Sequence, residues 1–221
     1  DDSVDSAILC EFSDEESPIE SSNTVRALEH FGIVRVQLPP APFFAQKLMP
    51  VINNHRDTLT TLQLRGCDLV SKDIVPITRF VKNNSTLNVL DIEVQLVSMR
   101  DTKSLSNAIK GHPELTFVSL AKCGLGADEK ILKVVLDGVC NVKSLLLEGN
   151  SIGTQDNCLD LVGNFLTNNK NVTVFSIADN GIVGKKKTGV LSKAMKKNTT
   201  IQELCVGEQK IDIRPFLGSK R

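Results

Sequence analysis

One pattern returns down most of this chain: LxxLxLxx(N/C)xL, followed each time by apolar residues at helical spacing. Such a period constrains the fold more than composition does, because each unit can bury its apolar face only against the next. The clearest copy runs Leu59, Leu62, Leu64, Cys67, Leu69; others start at Leu87, Leu115, Val142, Val172 and Ile201, with a weaker first copy at Ile33. Successive starts are 26, 28, 28, 27, 30 and 29 residues apart, long enough for a full helix in every unit. The leading apolar positions, such as Leu115, Val118 and Leu120, read as a short strand facing a core. The segments after them, such as Ile131, Leu132, Val135, Leu136 and Val139, or Leu161, Val162, Phe165 and Leu166, read as one helix face.

The position written N or C reads Ala41, Cys67, Gln95, Cys123, Asn150, Asn180 and Gln209. Most of these side chains can bond the backbone of a buried turn that has no strand partner. Together these residues, from about Ile33 to Ile211, resemble the leucine-rich repeat family. The repeat length, the Cys/Asn alternation and joints such as Lys82-Asn83-Asn84-Ser85-Thr86-Leu87 and Lys197-Asn198-Thr199-Thr200-Ile201 resemble its ribonuclease-inhibitor-like subfamily. That mostly intracellular group includes ribonuclease inhibitor, the sensor ends of NOD-like receptors, the Ran GTPase-activating protein, and the actin regulators tropomodulin and CARMIL. The resemblance implies an α/β fold: a right-handed horseshoe solenoid of about seven strand-helix repeats with a parallel sheet on the concave face. It implies a cytoplasmic or nuclear scaffold or adaptor that binds a protein partner on that face. The alternative it implies is regulation of a small GTPase or of actin assembly. The loop residues that GTPase activation uses in the family have no matching motif here, and the Lys-Asn-Asn and Lys-Lys-Asn joints are the mild support for an actin role.

The first 25 residues hold eight acidic groups and no Lys or Arg, so the neutral total hides a remainder of +8. Residues 1–24 are expected to be an acidic, flexible lead-in, with Ser13-Asp14-Glu15-Glu16-Ser17-Pro18 too polar to build a core. Residues 25–213 are expected to form the repeat domain, with Val25, Leu28 and Phe31 capping its first unit. Residues 214–221 are read as a C-terminal tail or cap. Pro39, Pro40 and Pro42 suit a sheet edge, so the solenoid should begin there. The start at Asp1 without Met points to a piece of a longer protein.

No apolar run approaches the roughly 18 residues of a spanning helix, and the acidic N-terminus is unlike a secretory signal, so no membrane is expected. The six cysteines, of which Cys67 and Cys123 hold ladder positions, are spread through the stack, which favours reduced thiols. The sequons at Asn83, Asn84, Asn171 and Asn198 all fall at the joint between helix and strand, where Asn and Thr suit the chain structurally. Lys185, Lys186, Lys187, Lys193, Lys196 and Lys197 cluster on the sixth helical limb. With no Trp or Tyr in the chain, stacking platforms for bases are scarce, so a solvated helix face is expected and nucleic acid is not. His30, His55 and His112 stand apart, without metal-ligand spacing, and no Gly-rich phosphate motif appears. No catalytic residues, cofactor or metal are expected, and the chain is read as a binding protein rather than an enzyme.

Period two sends alternate strand residues away from the core. The first such column reads Arg35, Thr61, Val89, Phe117, Ser144, Val174, Glu203. The second reads Gln37, Gln63, Asp91, Ser119, Leu146, Ser176, Cys205. The third reads Pro39, Arg65, Glu93, Ala121, Glu148, Ala178, Gly207. Val89, Phe117, Leu146 and Val174 are expected to form an apolar patch on the concave face, with Asp91, Glu93 and Glu148 as an acidic rim and Arg65 beside it. An aromatic anchor bordered by charges is the make-up of an interface centre. Truncating Phe117 or Leu146 is then expected to weaken binding of a partner with apolar and basic groups by more than about 2 kcal/mol.

Overall fold

The computed structural model describes residues 35–37, 49–66 and 69–207. Cys67, Ala41, Gln209, the lead-in, the proline-rich stretch 39–42 and the tail expected from the sequence lie outside these. Among the described residues, seven strands make one parallel sheet in chain order. They are β1 (Arg35–Gln37), β2 (Thr61–Leu64), β3 (Val89–Ile92), β4 (Phe117–Ser119), β5 (Ser144–Leu146), β6 (Val174–Ser176) and β7 (Glu203–Cys205). Between them run α1 (Met49–Asn54), α2 (Ile74–Asn83), α3 (Met99–Lys110), α4 (Glu129–Gly138), α5 (Asp156–Asn168) and α6 (Lys185–Met195).

The pairing register is the one the repeat dictates. Arg35, Thr61, Val89, Phe117, Ser144, Val174 and Glu203 face one another strand by strand, and so do the residues of the second column. The residues between those columns, Leu62, Leu90, Val118 and Leu145, are fully buried in one core with Ile77, Phe80, Leu105, Leu132, Val135, Leu159 and Val162 of the helices. Strands lie about 4.8 Å apart and packed helices roughly 8–10 Å apart, so stacking the units curves the solenoid with strands inside.

Between strand and helix the chain turns sharply, and the ladder residue makes that turn possible. Asn150 is flanked by Gly149 and Ser151, both at positive φ, and Asn180 by Asp179 and Gly181 in the same conformation. This backbone leaves amides and carbonyls pointing into the stack, where the asparagine collects them. Asn180 Nδ2 donates to the carbonyls of Leu147, Ile177 and Ala178, while its Oδ1 accepts from the amides of Asn150 and Ile152. Asn150 repeats the scheme one unit earlier, with Leu120, Leu147 and Glu148 as acceptors and the Leu125 amide as donor. Cys123 does part of this through Sγ, 3.4 Å from the Ala121 carbonyl and 3.6 Å from that of Ile92. Burial pushes its thiol up to about 12, so it stays protonated and able to donate. Gln95 contributes one bond, to the Lys122 carbonyl, from an exposed position.

A second ladder runs along the joints where helix returns to strand. Asn84 donates to the carbonyls of Arg56 and Leu59, and its Oδ1 accepts from the amides of Thr86 and Leu87. Asn169 does the same with Cys140, Asn171 and Val172, and Asn198 with Leu166, Asn169, Thr200 and Ile201. The structural reading of the sequons has its physical basis here, since the side-chain amides of Asn84, Asn171 and Asn198 are all committed to backbone carbonyls. His112 holds the equivalent place in the fourth repeat with less success: its Nδ1 accepts only from the Glu114 amide. Burial holds its pKa below the usual imidazole value, against the opposing pull of the Asn84 carbonyl and the Glu114 charge.

Candidate functional site

Arg65, just past β2, organises the inner strand face. Its Nε lies 3.3 Å from Asp91 Oδ1 on β3, one terminal nitrogen donates to Ser119 Oγ on β4 at 2.7 Å, and the other lies 3.7 Å from Glu148 Oε2 beyond β5. Ser176 Oγ on β6 then donates to Glu148 Oε1 at 3.0 Å. One polar chain therefore crosses the sheet from β2 to β6. It is built from the second and third columns of the repeat grid, which the register holds side by side. Glu93, third in its column, pairs instead with Lys122 at 3.7 Å.

The electrostatics of this chain are unbalanced. Asp91 and Glu148 are 1% and 5% exposed and share one guanidinium. Burial raises the Asp91 pKa above the usual carboxylate value, although Arg65 and the Ser119 and Arg65 hydrogen bonds pull it down; Glu148 adds to the rise. An ionised Asp91 is thus held at a cost, as expected of a charge taken out of water with incomplete compensation.

The apolar residues expected here, Val89, Phe117, Leu146 and Val174, do share this face. All four lie outside the core cluster that the helices cover. They do not form an open patch, however, and Asp91 and Glu148 do not form an exposed rim. Leu146 is 0%, Phe117 2%, Val89 3% and Val174 7% exposed. Part of the reason lies in the neighbours. Curvature draws the columns together on the inner side, and Ser119, Ser144 and Ser176 are small enough to let the large side chains sink between them. Alternation along a strand specifies direction, not accessibility. The partly exposed members are Arg65 and Glu93, whose side chains are 32% and 26% accessible.

The remaining chemistry-bearing residues stay apart. Among the described residues no three His, Cys, Asp or Glu side chains gather to hold a metal ion, and no helix is long and apolar enough to cross a membrane. Cys123, Cys140 and Cys158 are free thiols. The lysines of α6 face outward, with Lys186 hydrogen-bonded to Asp156. Sequence reasoning included Arg65 in the site but missed its reach over two further strands and the part played by Ser119 and Ser176. No local signal carried these, because Ser119 and Glu148 lie 54 and 83 residues from Arg65 in the chain, and Ser176 lies 28 from Glu148.

No family model and no curated protein matches this sequence. Among solved structures, the chain is similar to the leucine-rich repeat-containing protein LegL7 from Legionella pneumophila, with a TM-score of 0.59 at 16% sequence identity. The match covers 86% of this chain and 62% of that one, so the chain spans less than two thirds of the neighbour's length. Repeat register, parallel sheet and this likeness together define a leucine-rich repeat solenoid.

Proposed function

We propose that this chain is a protein-binding scaffold or adaptor module that grips a partner on its inner strand face. The observation that carries this reading is the Arg65, Asp91, Glu148 chain, a polar array laid across five strands on the side away from the helical core. Stability alone does not call for it: a buried charge array is often replaceable by apolar side chains at no loss. Its accessible parts are Arg65 and, in the same column, Glu93, and a polar, solvent-accessible rim belongs to a recognition surface. The partner that fits presents basic groups to the partly accessible Glu93. Repeats averaging 28 residues and the Cys/Asn ladder support placement in the ribonuclease-inhibitor-like subfamily, and free thiols support a cytoplasmic or nuclear setting. The module takes no cofactor and performs no catalysis.

The test is quantitative affinity capture with the wild-type chain, Glu93→Lys on the inner face and Lys193→Glu on α6. Partners retained by Lys193→Glu and lost from Glu93→Lys support the reading. Loss from Lys193→Glu alone would move the site to the helical side.

A further inference from the structure

Among the described residues six large apolar side chains stand exposed, and four of them, Val70, Val75, Val97 and Met99, lie on one edge of two neighbouring repeats. This is the edge where strand gives way to helix. There Ser71 Oγ donates to the Gln95 carbonyl at 3.1 Å and holds the second and third turns together. Single exposed apolar residues are ordinary, whereas a group of them on one surface is not.

The fold does not call for these four. Each turn sends one apolar residue inward, namely Leu69, Leu96, Leu125, Ile152 and Ile182. The residue after it is Val70, Val97, Gly126, Gly153 and Val183 in turn. Gly126 and Gly153 are buried, and a Cβ on them would lie 2.5 and 2.6 Å from backbone of the next unit. Val70 and Val97 are instead 50% and 69% exposed, so the stack gains little from their side chains. Val75 and Met99 open α2 and α3, where α4 opens with Glu129 and Lys130, α5 with Asp156 and Asn157, and α6 with Lys185 and Lys186. Polar residues suit that position, because the first backbone amides of a helix lack partners within it.

Basic side chains accompany the apolar ones. Lys72, Arg79, Arg100 and Lys103 are all exposed. Arg79 and Lys103 stand four residues on from Val75 and Met99, on the same helix faces. None of the four forms an ion pair with a described carboxylate. Asp73 is buried and accepts from the Val70 amide, which leaves the partly exposed Asp101 as the acid of these turns and first helical turns.

We propose that this edge docks an acidic segment of a partner protein. The segment sets apolar side chains on Val70, Val75, Val97 and Met99 and carboxylates beside Lys72, Arg79, Arg100 and Lys103. Charge complementarity fixes the sign of the partner, and the limits of the surface fix its kind. Asp128 and Glu129, exposed at the head of α4, close the surface on one side. A broad anionic lipid layer would press against these acids, while a peptide segment ends before them. The edge is distinct from the inner strand face, so the inference stands independently of the reading above.

The test is selection of random ~12-residue peptides displayed on phage against the full chain, with the enriched peptides then measured by fluorescence polarisation. Enriched sequences should combine Asp or Glu with Leu, Ile, Phe or Met. Their affinity should fall at least about tenfold with Val97→Ser plus Met99→Ser, and likewise with Arg100→Glu plus Lys103→Glu. It should also weaken as salt is raised. All four positions are exposed, so thermal melts should stay close to wild type. Glu93→Lys should leave the affinity unchanged, which separates this edge from the inner face. Failure to enrich any peptide, enrichment of neutral or basic sequences, or affinity indifferent to both pairs of changes overturns the proposal. Binding of the chain to phosphatidylserine vesicles, lost with the same changes, overturns it in favour of a membrane surface.

Discussion

Replacing Asn180 by alanine tests the ladder where it is best connected. The side chain makes five hydrogen bonds, all buried. Two of the three carbonyls it serves keep a partner without it: Leu147 O is also reached by Asn150 Nδ2, and Ala178 O by the Gly149 amide. The amides of Asn150 and Ile152 and the Ile177 carbonyl lose the bonds seen here. At about 1–3 kcal/mol for each buried group stranded, relieved by local adjustment, the loss should come to about 3–5 kcal/mol. That is a large share of the roughly 5–15 kcal/mol that holds a typical domain together. Asn180→Cys should fall between wild type and alanine, because a protonated thiol can donate to a carbonyl, as Cys123 does, but serves the two amides poorly. Urea unfolding followed by far-ultraviolet circular dichroism measures both, and a lowered m-value would show the stack parting at the sixth repeat. If Asn180→Ala lies within about 1 kcal/mol of wild type, the turns are not held by their asparagines and the reasoning is wrong.

Other outcomes follow from single positions. His112→Asn should restore the joint ladder and raise stability by about 1 kcal/mol, or roughly 2–4 °C in Tm. The extended backbone at Asn84 and Asn169 suits a residue that precedes Pro113. Because the folded imidazole has a lowered pKa, wild type loses stability as pH falls below the unfolded value of 6.5, so the advantage should grow on acidification; a constant difference across that range would contradict this. Asp91→Asn should leave stability at pH 7 unchanged or improved, since the folded carboxyl has a raised pKa. Its ionised form costs stability above the folded value, and the difference should fade as pH drops toward 3.8 in thermal melts. Gly153→Ala should cost about 1–3 kcal/mol, because its Cβ would meet the Asn180 carbonyl oxygen at 2.6 Å. Gly189→Ala, within α6 and facing open space, should instead add about 0.5–1 kcal/mol.

The repeat made the sheet legible column by column: once the starts at Leu59, Leu87, Leu115, Val142 and Val172 are aligned, the strand pairing follows. Ladder residues 123, 150 and 180 were equally readable, since buried turns need such side chains wherever they recur. The joint ladder was present in the sequence as Asn followed two and three residues later by the Thr and apolar positions that open a strand. At Asn84 and Asn198 that spacing also spells a sequon, and only the bonds these residues make separate the two meanings. The inner face was half readable. Period two assigns Phe117 and Leu146 their direction, but their burial depends on how closely the neighbouring columns pack. Truncating either now carries a folding cost of about 2–5 kcal/mol, so accessible Glu93 is the better probe of binding.

The most direct test of inner-face recognition is differential lysine acetylation of the free chain and of its complex with a captured partner. Lys122, paired with Glu93 at the edge of that face, should become protected, while Lys193 on α6 and Lys196 just past its end stay reactive. Protection of Lys193 and Lys196 with Lys122 unchanged would contradict the account.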